Sequence, residues 1–118
     1  MADARGAYEA LRDAVERRDN DAIAELLADD VELVQYDKRN PPSSPLTLQG
    51  RQDVERLLQD IYSRELTHEI HDEVVGDRRF SYNEHCRYPD GNRVVASWTI
   101  DAPDGVIRKA VVQQTWDE

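Results

Sequence analysis

The sequence predicts an α+β fold, and three observations carry that expectation. Apolar residues recur at helical spacing through most of the first half. From Leu66 the period drops to two and stays there to the C-terminal end. Short turn signals, Gly76-Asp77, Pro89-Asp90-Gly91 and Pro103-Asp104-Gly105, divide that second half into strands of an antiparallel meander.

The elements follow in order. Tyr8, Leu11 and Val15 share one face of a helix over 3–18. The polar break RRDND supplies Asp19 or Asn20 as a cap for a second helix bearing Ile23, Leu26 and Leu27, which ends near Asp29-Asp30. VELVQY then alternates as a strand, with Val31, Leu33 and Gln35 on one side and Glu32, Val34 and Tyr36 on the other. DKRNPPSSPLTLQG, with three prolines and two serines, reads as a loop over one mouth of the domain. Gly50 caps a third helix, Asp53 sits in its first turn, and Val54, Leu57, Leu58 and Ile61 form its apolar stripe.

Turn chemistry decides which meander residues face inward. A three-residue Pro-Asp-Gly loop places proline at fixed φ and glycine at positive φ. It pairs Cys86 with Val94, Glu84 with Ala96, Tyr82 with Trp98 and Phe80 with Ile100. One face is then almost wholly apolar, whereas a slip by one residue would invert it. The same parity at Pro103-Asp104-Gly105 sets Trp98 beside Ala110, Ala96 beside Val112 and Val94 beside Gln114. At Gly76-Asp77 it sets Val74 beside Phe80, Asp72 beside Tyr82, Ile70 beside Glu84 and His68 beside Cys86. Leu66, Val112 and Trp116 join this inner face, into which His68, Asp72, Glu84 and Gln114 also project.

Bulk properties exclude several functions. The 118 residues make one domain over 1–118, with 39% hydrophobic and 34% charged residues. A net charge of −10 leaves no basic stripe for nucleic acid and disfavours anionic membrane surfaces. No apolar run is long enough to span a bilayer, and the acidic N-terminal stretch lacks a leader pattern, so the cytoplasm is the expected compartment. The single cysteine, Cys86, allows neither an internal disulfide nor a multi-thiolate metal centre.

RRDNDAIAELLADDVEL (17–33), Gly50 with its helix, and the meander from LTHEIHDEVVGD to DGVIRKAVVQQTWDE resemble the nuclear-transport-factor-2-like superfamily. The SnoaL-like members, related to polyketide cyclases and ketosteroid isomerase, look most similar. The resemblance implies an NTF2-like cone: three N-terminal helices packed on the concave face of a strongly curved, mainly antiparallel sheet, usually dimeric. It also argues against steroid isomerisation. Counted from the shared D-x-D-x-I-x-x-L-x-A-D-D run, that enzyme's general base falls on Gln35 and its oxyanion tyrosine on Leu11. Its second acid falls within 97–100, where there is no carboxylate.

Glu84 and His68 are the expected acid/base pair, because diagonal neighbours on adjacent strands lie roughly 7–8 Å apart at the backbone, within reach of these side chains. Leu11, Gln35, Ile70, Tyr82, Cys86, Trp98, Val112, Gln114 and Trp116 are expected to line the pocket, with Gln35 or Gln114 steadying a substrate oxygen or bonding each other. His68 and His71 fall on opposite faces of a strand, and Asp19-Asn20-Asp21 lacks the glycine and glutamate of a calcium loop. No metal or cofactor is therefore expected. The functional expectation is a pocket for an apolar or aromatic small molecule, with acid/base isomerisation, cyclisation or hydration as its chemistry. Its rival is a non-catalytic dimerisation or ligand-sequestering module. A homodimer is expected through the outer sheet face, where Val95, Ser97, Thr99, Val111 and Gln113 are small or mildly polar.

Overall fold

Each of the first two helices begins on an aspartate. The structure, a computed structural model describing residues 2–117, opens with α1 (Ala4–Arg17), where the Asp3 carboxylate accepts from the backbone N–H groups of Arg5 and Gly6. Its buried face carries Ala7, Tyr8, Leu11, Ala14 and Val15. Asp19 caps α2 (Asn20–Glu25) through the N–H of Ala22 at 3.1 Å. That helix stops at Glu25, earlier than the sequence reading placed its end, because the chain is already extended as β1 (Leu27–Tyr36). Leu27 and Ala28 are buried there while Asp29 and Asp30 stay in solvent. Val31, Leu33 and Gln35 face inward, as the alternation requires.

The Pro- and Ser-rich segment is not loop throughout. Leu46–Gln49 forms β2, paired antiparallel with β1 from Glu32–Gln49 to Gln35–Leu46. Gly50 then enters α3 (Arg51–Ser63) at φ 94°, a conformation glycine adopts without steric cost. The meander follows as β3 (Thr67–Val75), β4 (Arg79–Arg87), β5 (Arg93–Asp101) and β6 (Ile107–Trp116). One six-stranded sheet results, in the order β2-β1-β6-β5-β4-β3, antiparallel except for the β1–β6 pair.

Two features of the expected cone need correction. Only two helices are N-terminal, because β1 and β2 precede α3. The sheet is open rather than strongly curled, with register shifts confined to β1–β6 and β3–β4. Among the described residues, no helix is long and apolar enough to cross a membrane.

The β4–β5 hairpin has the expected register, closed by Tyr88 N–H to Asn92 O and Gly91 N–H to Tyr88 O, with Gly91 at φ 92°. Between β5 and β6 the register is displaced by two residues: Trp98 pairs with Val112, Ala96 with Gln114 and Val94 with Trp116. The connection runs over 102–106 rather than through a tight three-residue loop, and an even displacement leaves every side chain on its expected face. In β3, Asp72 adopts φ 59° at a bulge. His68–Cys86 and Ile70–Glu84 pair as expected, but beyond the bulge Val75 meets Phe80 and Val74 meets Ser81. Val74 therefore lies outside, 69% exposed, and Asp72 turns to solvent and accepts from Asn83 Nδ2. The core between helices and sheet is centred on Val15, Ile23, Val31, Leu33, Phe80 and Val112.

Candidate functional site

A carboxylate pointing inward from a central strand needs donors to survive burial. Glu84, only 2% exposed on β4, has three. Tyr62 of α3 donates its hydroxyl equally to both oxygens, at 3.0 Å each. Trp98 Nε1, on the adjoining strand β5, donates to Oε1 at 3.1 Å, and His68 Nδ1, on β3, meets Oε2 at 2.8 Å. The His68 ring packs against Tyr62 with centroids 4.8 Å apart. Since a carboxylate oxygen accepts, Nδ1 carries the imidazole proton, and Nε2 is left buried without a partner.

Glu84 also forms part of the wall of a cleft of about 460 Å³, within the range of roughly 300–1,000 Å³ typical of small-molecule sites. Leu57 and Ile61 of α3 form one side, with Leu66, Val94, Ala96 and Trp98 across from them. Asp37, Lys38 and Arg39 border it from the loop after β1, and Arg64, Tyr88 and Asn92 from other turns. The first part of the Pro- and Ser-rich segment thus does border a mouth.

Of the residues expected to line the pocket, Gln35, Cys86, Trp98, Gln114 and Trp116 do so. Leu11 and Tyr82 border a separate apolar void of about 20 Å³, room for roughly one water. Val112 is fully buried and Ile70 is half-buried against the core, so neither reaches the cleft. His68 lies behind Glu84 and does not line it.

The two glutamines do not bond each other. Gln35 Nε2 donates to Asp37 Oδ2 at 2.7 Å, and because a carboxylate only accepts, this fixes the amide orientation. Gln35 Oε1 is buried and unpartnered. Gln35 therefore offers an acceptor and cannot steady a carbonyl as expected from sequence. Gln114 is reversed: its Oε1 accepts from Trp116 Nε1 at 3.1 Å, leaving its amide N–H groups. Burial raises Asp37, but donors from Gln35, Asn40 and Arg39 outweigh it and hold that carboxyl below the ordinary range.

Burial, then the nearby Glu84, push the Cys86 thiol up to about 12, so Cys86 is a thiol and not a ready nucleophile. Burial and Glu84 likewise drive the Tyr62 phenol well above its ordinary value, keeping it a hydrogen-bond donor. His68, Glu84 and Cys86 place three ligating atoms within 4.8 Å of one another, the one group among the described residues that could hold a metal ion. The 2.8 Å contact from Nδ1 to Glu84 is closed by the imidazole proton, and Cys86 Sγ lies 3.3 Å from the same nitrogen. A metal on Nδ1 would also move that proton to Nε2, which has no acceptor.

Residues 8–113 match the SnoaL-like domain. This chain belongs to that family. No curated protein matches its sequence. Solved structures share the fold of this SnoaL-like chain at low identity. An NTF2-like protein of unknown function from Mesorhizobium loti is 21% identical, with a TM-score of 0.81, covering 95% of this chain and 93% of its own. A Kribbella flavida protein named as a candidate ketosteroid isomerase is 21% identical, TM-score 0.76, covering 98% and 78%. A candidate polyketide cyclase from Sinorhizobium meliloti is 19% identical, TM-score 0.68, covering 91% and 93%. At such identity these likenesses speak for the fold alone.

Sequence reasoning missed Tyr62 and the donor role of Trp98. Tyr62 stands four and eight residues after Leu58 and Val54, on the buried stripe of α3. An inward phenol opposite a sheet with a buried acid was the signal available.

Proposed function

We propose that this SnoaL-like chain binds an apolar or aromatic small molecule in the cleft and exchanges a proton with it through Glu84, backed by His68. One observation supports the reading above the rest: a buried carboxylate, held by Tyr62, Trp98 and His68, borders a cleft otherwise walled by aliphatic and indole groups. A single fixed carboxylate suits isomerisation, cyclisation or hydration, in which one proton is added or removed at a bound carbon or oxygen. The alternative is a non-catalytic sequestering module using the same cleft.

Both tryptophans of the chain, Trp98 and Trp116, line the cleft, so all indole fluorescence reports on it. Titration with a panel of aromatic acids and phenols should give saturable changes. Glu84→Gln should keep the fold, weaken binding by about tenfold or roughly 1.4 kcal/mol, and abolish turnover of any member that reacts. Binding that survives without turnover of any member by the wild type favours sequestration. A panel with no saturable response overturns the pocket reading.

We also propose a homodimer through the outer sheet face. Val74 is the exposed large hydrophobic residue of the described chain, and the half-buried Val95 and Val111 lie on the same side. Light scattering at micromolar concentration should give twice the 13.6 kDa chain mass, and a clean single-chain mass refutes the dimer.

A further inference from the structure

Gln114 carries donors that the fold does not use, and their place on the sheet names a ligand feature. We infer that Gln114 sets specificity in the cleft, its amide N–H groups holding a carbonyl oxygen of the ligand beside Ala96. This rests on the pocket reading above.

Chemistry fixes which way the amide is turned. An indole N–H only donates, so the atom that meets Trp116 Nε1 at 3.1 Å is the amide oxygen. The two hydrogens on Nε2 then have no partner among the described residues. Gln114 is half-buried and lines the cleft, and Nε2 is not one of the buried unpartnered atoms, so the donor is reachable from the cleft. The other N–H donors on this stretch of sheet are spent: Trp98 Nε1 on Glu84, Trp116 Nε1 on Gln114 and Gln35 Nε2 on Asp37. Lys38, Arg39 and Arg64 border the cleft from outside the strands.

Strand register places this donor opposite the buried acid. Glu84 pairs with Ala96, and Ala96 pairs with Gln114, so the three form one row across β4, β5 and β6. Adjacent strands lie about 4.8 Å apart, which sets Glu84 and Gln114 roughly 10 Å apart at the backbone with only a methyl group between them. Val94 and Trp98, the next inward residues on β5, stand on either side of Ala96 and also line the cleft. A flat carbonyl compound with its oxygen on Gln114 would lie over Ala96 with its adjoining carbons toward Glu84. In these apolar surroundings a single hydrogen bond is strengthened, and a ligand that covers the donor without accepting from it is penalised.

Calorimetric titration with two probes of one shape tests the inference: 2-acetylnaphthalene, and 2-isopropenylnaphthalene, in which a methylene replaces the carbonyl oxygen. The ketone should bind the wild type about tenfold tighter than the alkene. Gln114→Glu keeps an oxygen for Trp116 Nε1 and turns the free donor into an acceptor, so it should bring the ketone down to the affinity of the alkene. Gln114→Met, which keeps the length and removes the amide, should do the same and serves where Gln114→Glu fails to fold. Equal binding of the two probes by the wild type overturns the inference and leaves the pocket reading standing. A ketone preference that persists in a folded Gln114 variant overturns Gln114 as the donor. No binding of either probe overturns the inference and the pocket reading together.

Discussion

Tyr62→Phe isolates the contact that seats Glu84. The substitution removes one hydroxyl and keeps the ring, so the packing against His68 persists and no cavity opens. What is lost is a phenol donor lying 3.0 Å from both oxygens of a carboxylate that is 2% exposed. Hydrogen bonds to a charged group contribute about 1.5–3 kcal/mol, and here no water replaces the donor at once, so about 2 kcal/mol of stability should go. For a chain of 118 residues that is a fall in Tm of about 8 °C, taking roughly 4 °C per kcal/mol. Urea unfolding should show the midpoint falling at unchanged slope, which separates a lost contact from a changed denatured state. Tyr82→Phe is the control, because Tyr82 is also buried, yet its hydroxyl makes no hydrogen bond among the described residues. A loss below about 0.5 kcal/mol for Tyr62→Phe, or an equal loss for the control, refutes the argument that these donors hold the carboxylate in place.

Cys86 should resist alkylation near pH 8, and its rate should climb with pH toward the thiol value of about 12. The linkage has a fixed sign. The folded thiol lies above its ordinary value of 9.0, so the stability it contributes is complete below pH 9 and lost as pH rises toward 12. Cys86→Ala should flatten that part of the alkaline unfolding curve, and Tyr62 and Tyr82, raised in the same direction, should account for the rest. Gly105→Ala should cost about 1–3 kcal/mol, because φ is 85° and an added Cβ would lie 2.7 Å from that of Ala2. Gly91→Ala has φ 92° and open space, so thermal denaturation should show a smaller loss there.

The facing of the meander was legible because parity is discrete. Any even error in loop length preserves it, which is why the five-residue connection over 102–106, two longer than the expected loop, displaced the β5–β6 register by two and still left Trp98 and Val112 inward. The bulge at Asp72 was not legible. A single extra residue changes parity, and an aspartate at φ 59° carries no sequence mark as clear as glycine, so Val74 and Val75 exchanged sides. The short strand β2 was hidden because four residues between Pro- and Ser-rich loop and Gly50 alternate too briefly to show a period. At the site, the residue types were visible and their pairings were not. Nothing in the pattern says that Gln35 spends its donor on Asp37 or that Gln114 spends its acceptor on Trp116, since both depend on side-chain torsions.

The order of groups at the site limits what each can do. In an arrangement where a histidine meets the substrate, a carboxylate stands behind it and fixes the tautomer. Here the order is inverted. Glu84 borders the cleft, His68 stands behind with Nδ1 toward it, and Nε2 faces buried surroundings with no partner. Any influence of His68 on a ligand must therefore pass through Glu84. A His68→Gln variant can alter the chemistry only by altering the carboxylate, so in a Glu84→Gln background it should change ligand affinity by no more than its effect on folding. An independent effect of His68 on the bound ligand would mean that the imidazole reaches the cleft itself, and the inverted order would then be wrong.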